Sequence, residues 1–87
     1  MNAQFNVRAI YDEGEVTLGV SDYGVLGFGS NLEDAIDDLA VELDTYAARV
    51  LSNPDRYGLS QESLDALTEF AGLSHAEQIS ALVSEPR

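Results

Sequence analysis

Histidine, the side chain best suited to acid–base chemistry near neutral pH, occurs once in this sequence, at His75. His75 follows Ser74 at the first position of a predicted short helix, where a histidine usually lies on the protein surface. No serine lies in the strand–turn–helix motif of a hydrolase nucleophile, and the chain contains no cysteine for a histidine to activate. The sequence therefore predicts no catalytic site and a protein that is not an enzyme.

Two carboxylates with helical spacing are the strongest candidates for a metal site. Asp34 and Asp38 share one face of a predicted helix, where they could bind a hard cation. Calcium and magnesium sites normally take oxygen ligands from a loop as well, so a solvated helix face is the favoured interpretation. The absence of cysteine excludes zinc sites built on thiolates. We therefore predict neither a metal nor a cofactor.

Acidic side chains give the strongest signal in the composition. The chain has 16 Asp and Glu against four basic residues, all of them arginine, and a formal net charge of −12. This charge repels nucleic-acid phosphates and attracts a basic partner. A need for solubility, or a source adapted to high salt, would account equally well for the excess of acids. Four candidate partner-binding residues lie on the polar face of a predicted helix, without lysine or arginine at helical spacing: Asp34, Asp37, Asp38 and Asp44.

Alternating apolar residues predict the strands that precede this helix. Residues 4–11 and 15–20 each show the period of a half-buried strand, and the turn at 12–14 joins them into a hairpin. A second turn at 21–24 leads to a short third strand over 25–28. The glycines within and after that strand indicate a bulge or a close strand crossing, because they precede an acidic helix start and not a basic phosphate site.

Capping residues mark where the predicted helices begin. Ser30 and Asn31 begin a long amphipathic helix that ends near Leu51, and two short helices follow the caps Ser60 and Ser74. The long helix should cover one face of the sheet through an apolar stripe. The stripe comprises Leu32, Ile36, Leu39, Leu43, Tyr46 and Val50.

These elements predict an α+β fold with a three-stranded antiparallel sheet, one long helix packed on it, and two short C-terminal helices. We divide the chain into an α/β domain over residues 1–53 and a short helical module over residues 54–87.

Residues 5–51 resemble the HicB-like antitoxin domain of bacterial toxin–antitoxin systems. Three features carry the resemblance: an acidic hairpin turn with glycine at 12–15, an Asp-based turn at 21–24, and the helix start Gly-Ser-Asn-Leu-Glu-Asp-Ala at 29–35. Antitoxins described as RelB-like have a similar Asp-Asp-Leu and tyrosine pattern. This sequence differs from the HicB-like pattern in having Gly24 without the usual proline.

The resemblance implies an antitoxin that binds and neutralises a small basic toxin, often one that cleaves mRNA, and that regulates its own operon. A HicB-fold regulatory or assembly subunit without a toxin is the second interpretation. We also expect a homodimer or a higher oligomer, because a chain of 87 residues buries a modest core. No run of 18 apolar residues exists, so we expect a cytoplasmic protein that does not enter a membrane.

Residues 59–83 weakly resemble the two helices of a ribbon-helix-helix DNA-binding module. The DNA-reading strand of such a module should lie just before Ser60, where Arg56 is the single basic residue and hence the candidate DNA-binding residue. The alternative is a helical hairpin that serves packing or dimerisation. Because the acidic charge opposes DNA binding, we expect the protein to bind DNA weakly, or together with its partner.

Overall fold

The computed structural model describes residues 5–83 and confirms the predicted α+β fold. Three antiparallel strands form a sheet in the order β1-β2-β3, a long helix packs against it, and shorter helices follow. Within the described residues, no helix is long and apolar enough to cross a membrane. The elements are β1 (Val7–Asp12), β2 (Glu15–Val20), β3 (Val25–Gly29), α1 (Leu32–Ser52), α2 (Pro54–Tyr57), α3 (Gln61–Ala71) and α4 (His75–Val83).

The β1–β2 hairpin turns through two residues with left-handed backbone conformations, Glu13 at φ 43° and Gly14 at φ 81°. A two-residue hairpin loop whose twist matches the strands requires this pair of positive φ angles. The turn pairs Asp12 with Glu15 and fixes the register of β1 against β2. As a result, the buried side chains of Val16 and Leu18 face the helix.

Two glycines of β3 let α1 lie unusually close to the sheet. A Cβ atom added at Gly27 would lie 2.5 Å from the backbone nitrogen of Leu39, and one at Gly29 would collide with the backbone of Ala35. The prediction of a bulge or a close strand crossing was wrong. The β2–β3 register is continuous, and the element that lies against these glycines is a helix and not a strand. Ala35 is fully buried at this contact. Ala40 and Ala47 are also fully buried, about a third of a turn around α1 from Ala35.

The predicted apolar stripe of α1 is partly wrong. Leu39, Leu43 and Val50 are fully buried as expected, whereas Leu32 is 44% exposed. Large side chains dominated the predicted stripe, although close packing against glycine favours small ones. The helix therefore places Ala35 against Gly29 and leaves Leu32 partly exposed.

The C-terminal helices pack on α1 and share its core. Leu67 and Phe70 of α3 and Leu82 of α4 belong to the same hydrophobic cluster as the sheet residues. Both predicted caps are confirmed, because the Ser60 hydroxyl accepts the Ser63 N–H at 3.1 Å and Glu77 accepts the Ser74 N–H at 2.9 Å. One hydrophobic cluster thus spans both parts into which we divided the chain.

The strand that a ribbon-helix-helix module requires before Ser60 is not formed. Residues Pro54–Tyr57 form one helical turn, α2, in which proline takes the first position as helix starts favour. Arg56 is exposed on this turn. The strand is missing because Asn53 and Pro54 begin a helical turn, so the structure favours the alternative of helices that serve packing.

We predict that Gly27→Ala lowers the free energy of unfolding by at least about 2 kcal/mol, because the added methyl group would meet helix backbone that cannot move aside. Gly72→Ala is the matched control. Gly72 has a right-handed backbone conformation, and its added Cβ would lie 3.6 Å from its nearest neighbour, so stability should change by less than about 0.5 kcal/mol. Urea unfolding of both variants measures the difference, and equal stabilities would show that α1 does not contact β3 this closely.

Candidate protein-binding surface

The face of the sheet that points away from α1 is uncovered and largely apolar. Ile10, Leu26 and Phe28 are 64%, 49% and 52% exposed. We call this surface the open sheet face. The strand register arranges it as two rows across the strands, Ile10–Thr17–Phe28 and Arg8–Gly19–Leu26.

Leu26 and Phe28 are neighbours on one face of β3, and Ile10 lies on the same face of the sheet, two strands away. Single exposed leucines or isoleucines are common on protein surfaces, whereas neighbouring ones that form a patch mark sites of interaction. Thr17 and Gly19, the β2 members of the two rows, are small and only partly buried. The open sheet face is therefore low in the middle, with Ile10 on one side and Phe28 on the other.

Three carboxylates border the open sheet face at the end of the hairpin. Asp12, Glu13 and Glu15 are exposed, and within residues 5–83 none of them has a hydrogen-bond or ion-pair partner. We call this group the acidic hairpin tip. Asp12 and Glu15 are paired across the strands, next to the row that contains Ile10. Their full negative charge is therefore available to a basic partner beside an apolar surface.

The four predicted partner-binding aspartates lie elsewhere, on α1, and each contacts its own chain. Asp38 accepts a hydrogen bond from the backbone N–H of Phe28 at 2.9 Å. This N–H belongs to the outer edge of β3, so the Asp38 carboxylate occupies a position where another strand would otherwise pair. Asp38 therefore positions the helix on the sheet and closes part of one sheet edge.

Asp34 belongs to the N-terminal cap of α1. Its backbone N–H donates to the Asn31 side chain at 2.8 Å, and its carboxylate accepts from the Asn31 amide at 3.3 Å and from the Ser30 hydroxyl at 3.4 Å. Asn31 is thus the capping residue, one position later than the box that pairs Ser30 with Glu33 in the sequence. The negative charge of Asp34 also interacts favourably with the helix N-terminus.

The remaining two aspartates hold α4 against α1. Asp37 lies 2.6 Å from the Nε2 atom of His75, at the first residue of α4. Asp44 accepts a hydrogen bond at 2.9 Å from the amide of Gln78, which is buried and also donates to the Phe70 carbonyl. The four aspartates are therefore divided among a sheet edge, a helix cap and a helix–helix contact, and do not form one free patch.

Groups of potential metal ligands and shifted pKa values can each mark a second site. Within residues 5–83 no group of three or more potential ligands could hold a metal ion. Burial and the neighbouring Tyr23 and Tyr57 raise the pKa of Tyr46, and hydrogen bonds from Ser74 lower the pKa of Glu77. Both effects have structural causes and lie away from the open sheet face.

Comparisons of this chain with protein-family models, curated proteins and solved structures find no match. The HicB-like resemblance therefore depends on the sequence pattern alone and stays a prediction.

We predict that Asp38→Ala lowers the free energy of unfolding by about 1 kcal/mol, because the Phe28 N–H loses its carboxylate acceptor. Asp38→Asn retains an acceptor oxygen and should fall between the parent and the alanine variant. The control is Glu42→Ala, which removes an exposed carboxylate of the same helix that has no partner within residues 5–83, and should change stability by less than about 0.5 kcal/mol. Chemical unfolding that gives Asp38→Ala and Glu42→Ala the same stability would contradict this role of Asp38.

Proposed function

We propose that this protein is an antitoxin that binds a small basic toxin through the open sheet face and the acidic hairpin tip. The observation that supports this contact most strongly is the exposed apolar surface of Ile10, Leu26 and Phe28 beside carboxylates that have no partner in the described part of the chain. Interfaces commonly combine an apolar centre with a polar rim, and this surface has both. The toxin class comes from the HicB-like sequence resemblance.

Charge supports a basic partner in particular. The chain carries a net charge of −12, and such a field accelerates the approach of a positively charged protein. Contact with arginine or lysine at the acidic hairpin tip would then add specificity. The four α1 aspartates contribute to this long-range field, while their hydrogen bonds within the chain make them less suited to direct contact.

The first experiment co-expresses the protein with the small basic product of the neighbouring reading frame, and measures growth, co-purification and affinity. We predict that Phe28→Thr and Ile10→Thr each weaken the affinity more than tenfold, because each removes apolar area from the centre of the contact while keeping a good strand former. Val41→Thr is the matched control, since Val41 is 51% exposed on α1, away from the sheet face.

Two outcomes would contradict the proposal. If the neighbouring product is not toxic or does not bind, the antitoxin function is wrong and a regulatory or assembly subunit becomes the better interpretation. If it binds but Val41→Thr weakens the complex as much as the sheet variants do, the toxin contacts another surface.

A second prediction concerns the acidic hairpin tip. We expect Glu13→Gln combined with Glu15→Gln to slow association with the basic partner several-fold at low salt, and to reduce the dependence of the rate on salt. The control combines Glu42→Gln with Glu62→Gln, which removes the same charge from α1 and α3. Stopped-flow mixing at two salt concentrations compares the pairs. Equal rates for both pairs would mean that net charge alone, and not the hairpin tip, attracts the partner.

A further inference from the structure

The two edges of the sheet differ in their freedom to pair with another strand. The outer edge of β3 is partly closed, because the Phe28 N–H donates to the Asp38 carboxylate. Residues of β1 from Arg8 to Asp12 are exposed, so both faces of this strand are open. An exposed edge with both faces uncovered is a template for strand addition.

The hydrogen-bond alternation identifies the free backbone groups of β1. The Phe28 N–H points outward, so Phe28 and Thr17 form a non-hydrogen-bonded pair. The backbone N–H and C=O of Thr17 therefore point toward β1. The hydrogen bond from the Ser21 N–H to the Asn6 carbonyl fits the same alternation, because it also joins an odd-numbered residue next to β2 with an even-numbered residue next to β1. The even-numbered residues of β1 therefore bond to β2, and the outward-pointing N–H and C=O groups belong to Val7, Ala9 and Tyr11.

We propose that two copies of this chain pair antiparallel through β1, about a twofold axis at Ile10, and form one six-stranded sheet. In this register Arg8 lies opposite the partner's Asp12, Ala9 opposite the partner's Tyr11, and Ile10 opposite the partner's Ile10. Ala9 and the partner's Tyr11 exchange main-chain hydrogen bonds through outward-pointing groups, and the axis repeats this pair. This proposal concerns the free protein and does not depend on the antitoxin function.

Charge complementarity selects a second copy as the occupant of this edge. Arg8 is the one basic residue in the three strands, and neither it nor Asp12 has a side-chain partner within residues 5–83. Both lie two residues from Ile10, on the same face of the strand. An antiparallel copy of this strand therefore places an opposite charge across from each of them, twice in the dimer.

The sizes of the side chains that would meet across the axis also fit this antiparallel register. Tyr11 is 66% exposed, and across the axis its ring would lie next to the small side chain of Ala9. A groove beside β1 continues from that position toward the helices and is lined by Val7, Ile36 and Leu82 among others. On the other face, two Ile10 side chains, each 64% exposed, would meet and join the two open sheet faces.

The test is sedimentation equilibrium of the full chain from low to high micromolar concentration. We expect a dimer, at least tenfold weakened by Arg8→Asp or by Asp12→Arg, because each substitution places like charges opposite each other. Mixing these two variants should restore a dimer, since each then supplies the charge that the other needs. Arg49→Asp and Glu42→Arg are controls that change the net charge equally on the exposed surface of α1 and should leave the dimer intact.

Ala9→Pro provides an independent measurement. The Ala9 N–H points outward, so proline removes a hydrogen bond to the partner and no bond to β2, and the variant should be a folded monomer by circular dichroism and sedimentation. A parent protein that stays monomeric at high micromolar concentration would overturn the proposal. So would a dimer unaffected by Arg8→Asp, or single variants that do not associate when mixed. The mixing result decides the matter even if the proline variant does not fold.

Discussion

The close contact between α1 and β3 determines how the rest of this molecule is arranged. Gly27 and Gly29 place no Cβ atom between the strand and the helix, and the buried Ala35 of α1 lies against Gly29. The helix is therefore centred over β3 and β2. A helix with side chains is about 10 Å wide and neighbouring strands lie about 4.8 Å apart, so one helix covers about two strands. The third strand, β1, is left beyond its reach.

This off-centre position makes the two halves of the sheet different. On the β3 side, the helix lies close enough for Asp38 to bond to the strand backbone, which closes part of that edge. On the β1 side, Ala9 and Tyr11 point toward the helix face of the sheet and still remain exposed. Both the open edge and the groove beside it thus follow from where two glycines allow the helix to pack.

Local sequence patterns predicted the elements well, because their causes are local. The period of two over β2, the turn at Gly14 and the cap at Ser60 each depend on a few neighbouring residues. The exposure of Tyr11 could not be predicted in this way. Tyr11 continues the period of two that Val7 and Ala9 begin, which is that of a half-buried strand, and only the width of the covering helix decides that neither face is buried.

The predicted site residues show the same limit. On α1, the aspartates have no cationic neighbour at helical spacing, which made their charge look available. Their partners are distant in sequence: His75 for Asp37, and the Phe28 backbone for Asp38. The open sheet face did leave a signal, because Ile10 is an apolar residue at a position where the alternation of β1 calls for a polar one.

The acidic residues consequently serve two purposes that composition alone does not separate. The four aspartates of α1 make hydrogen bonds within the fold, and removing them would weaken the protein whether or not a partner binds there. The carboxylates of the acidic hairpin tip make no hydrogen bonds of this kind within residues 5–83. Negative charge placed beside exposed Ile10 adds mutual repulsion to the free protein and no hydrogen bond within the described chain. It becomes favourable when a cation lies opposite, which is why the hairpin, and not the helix, is the part of this molecule best suited to a basic partner.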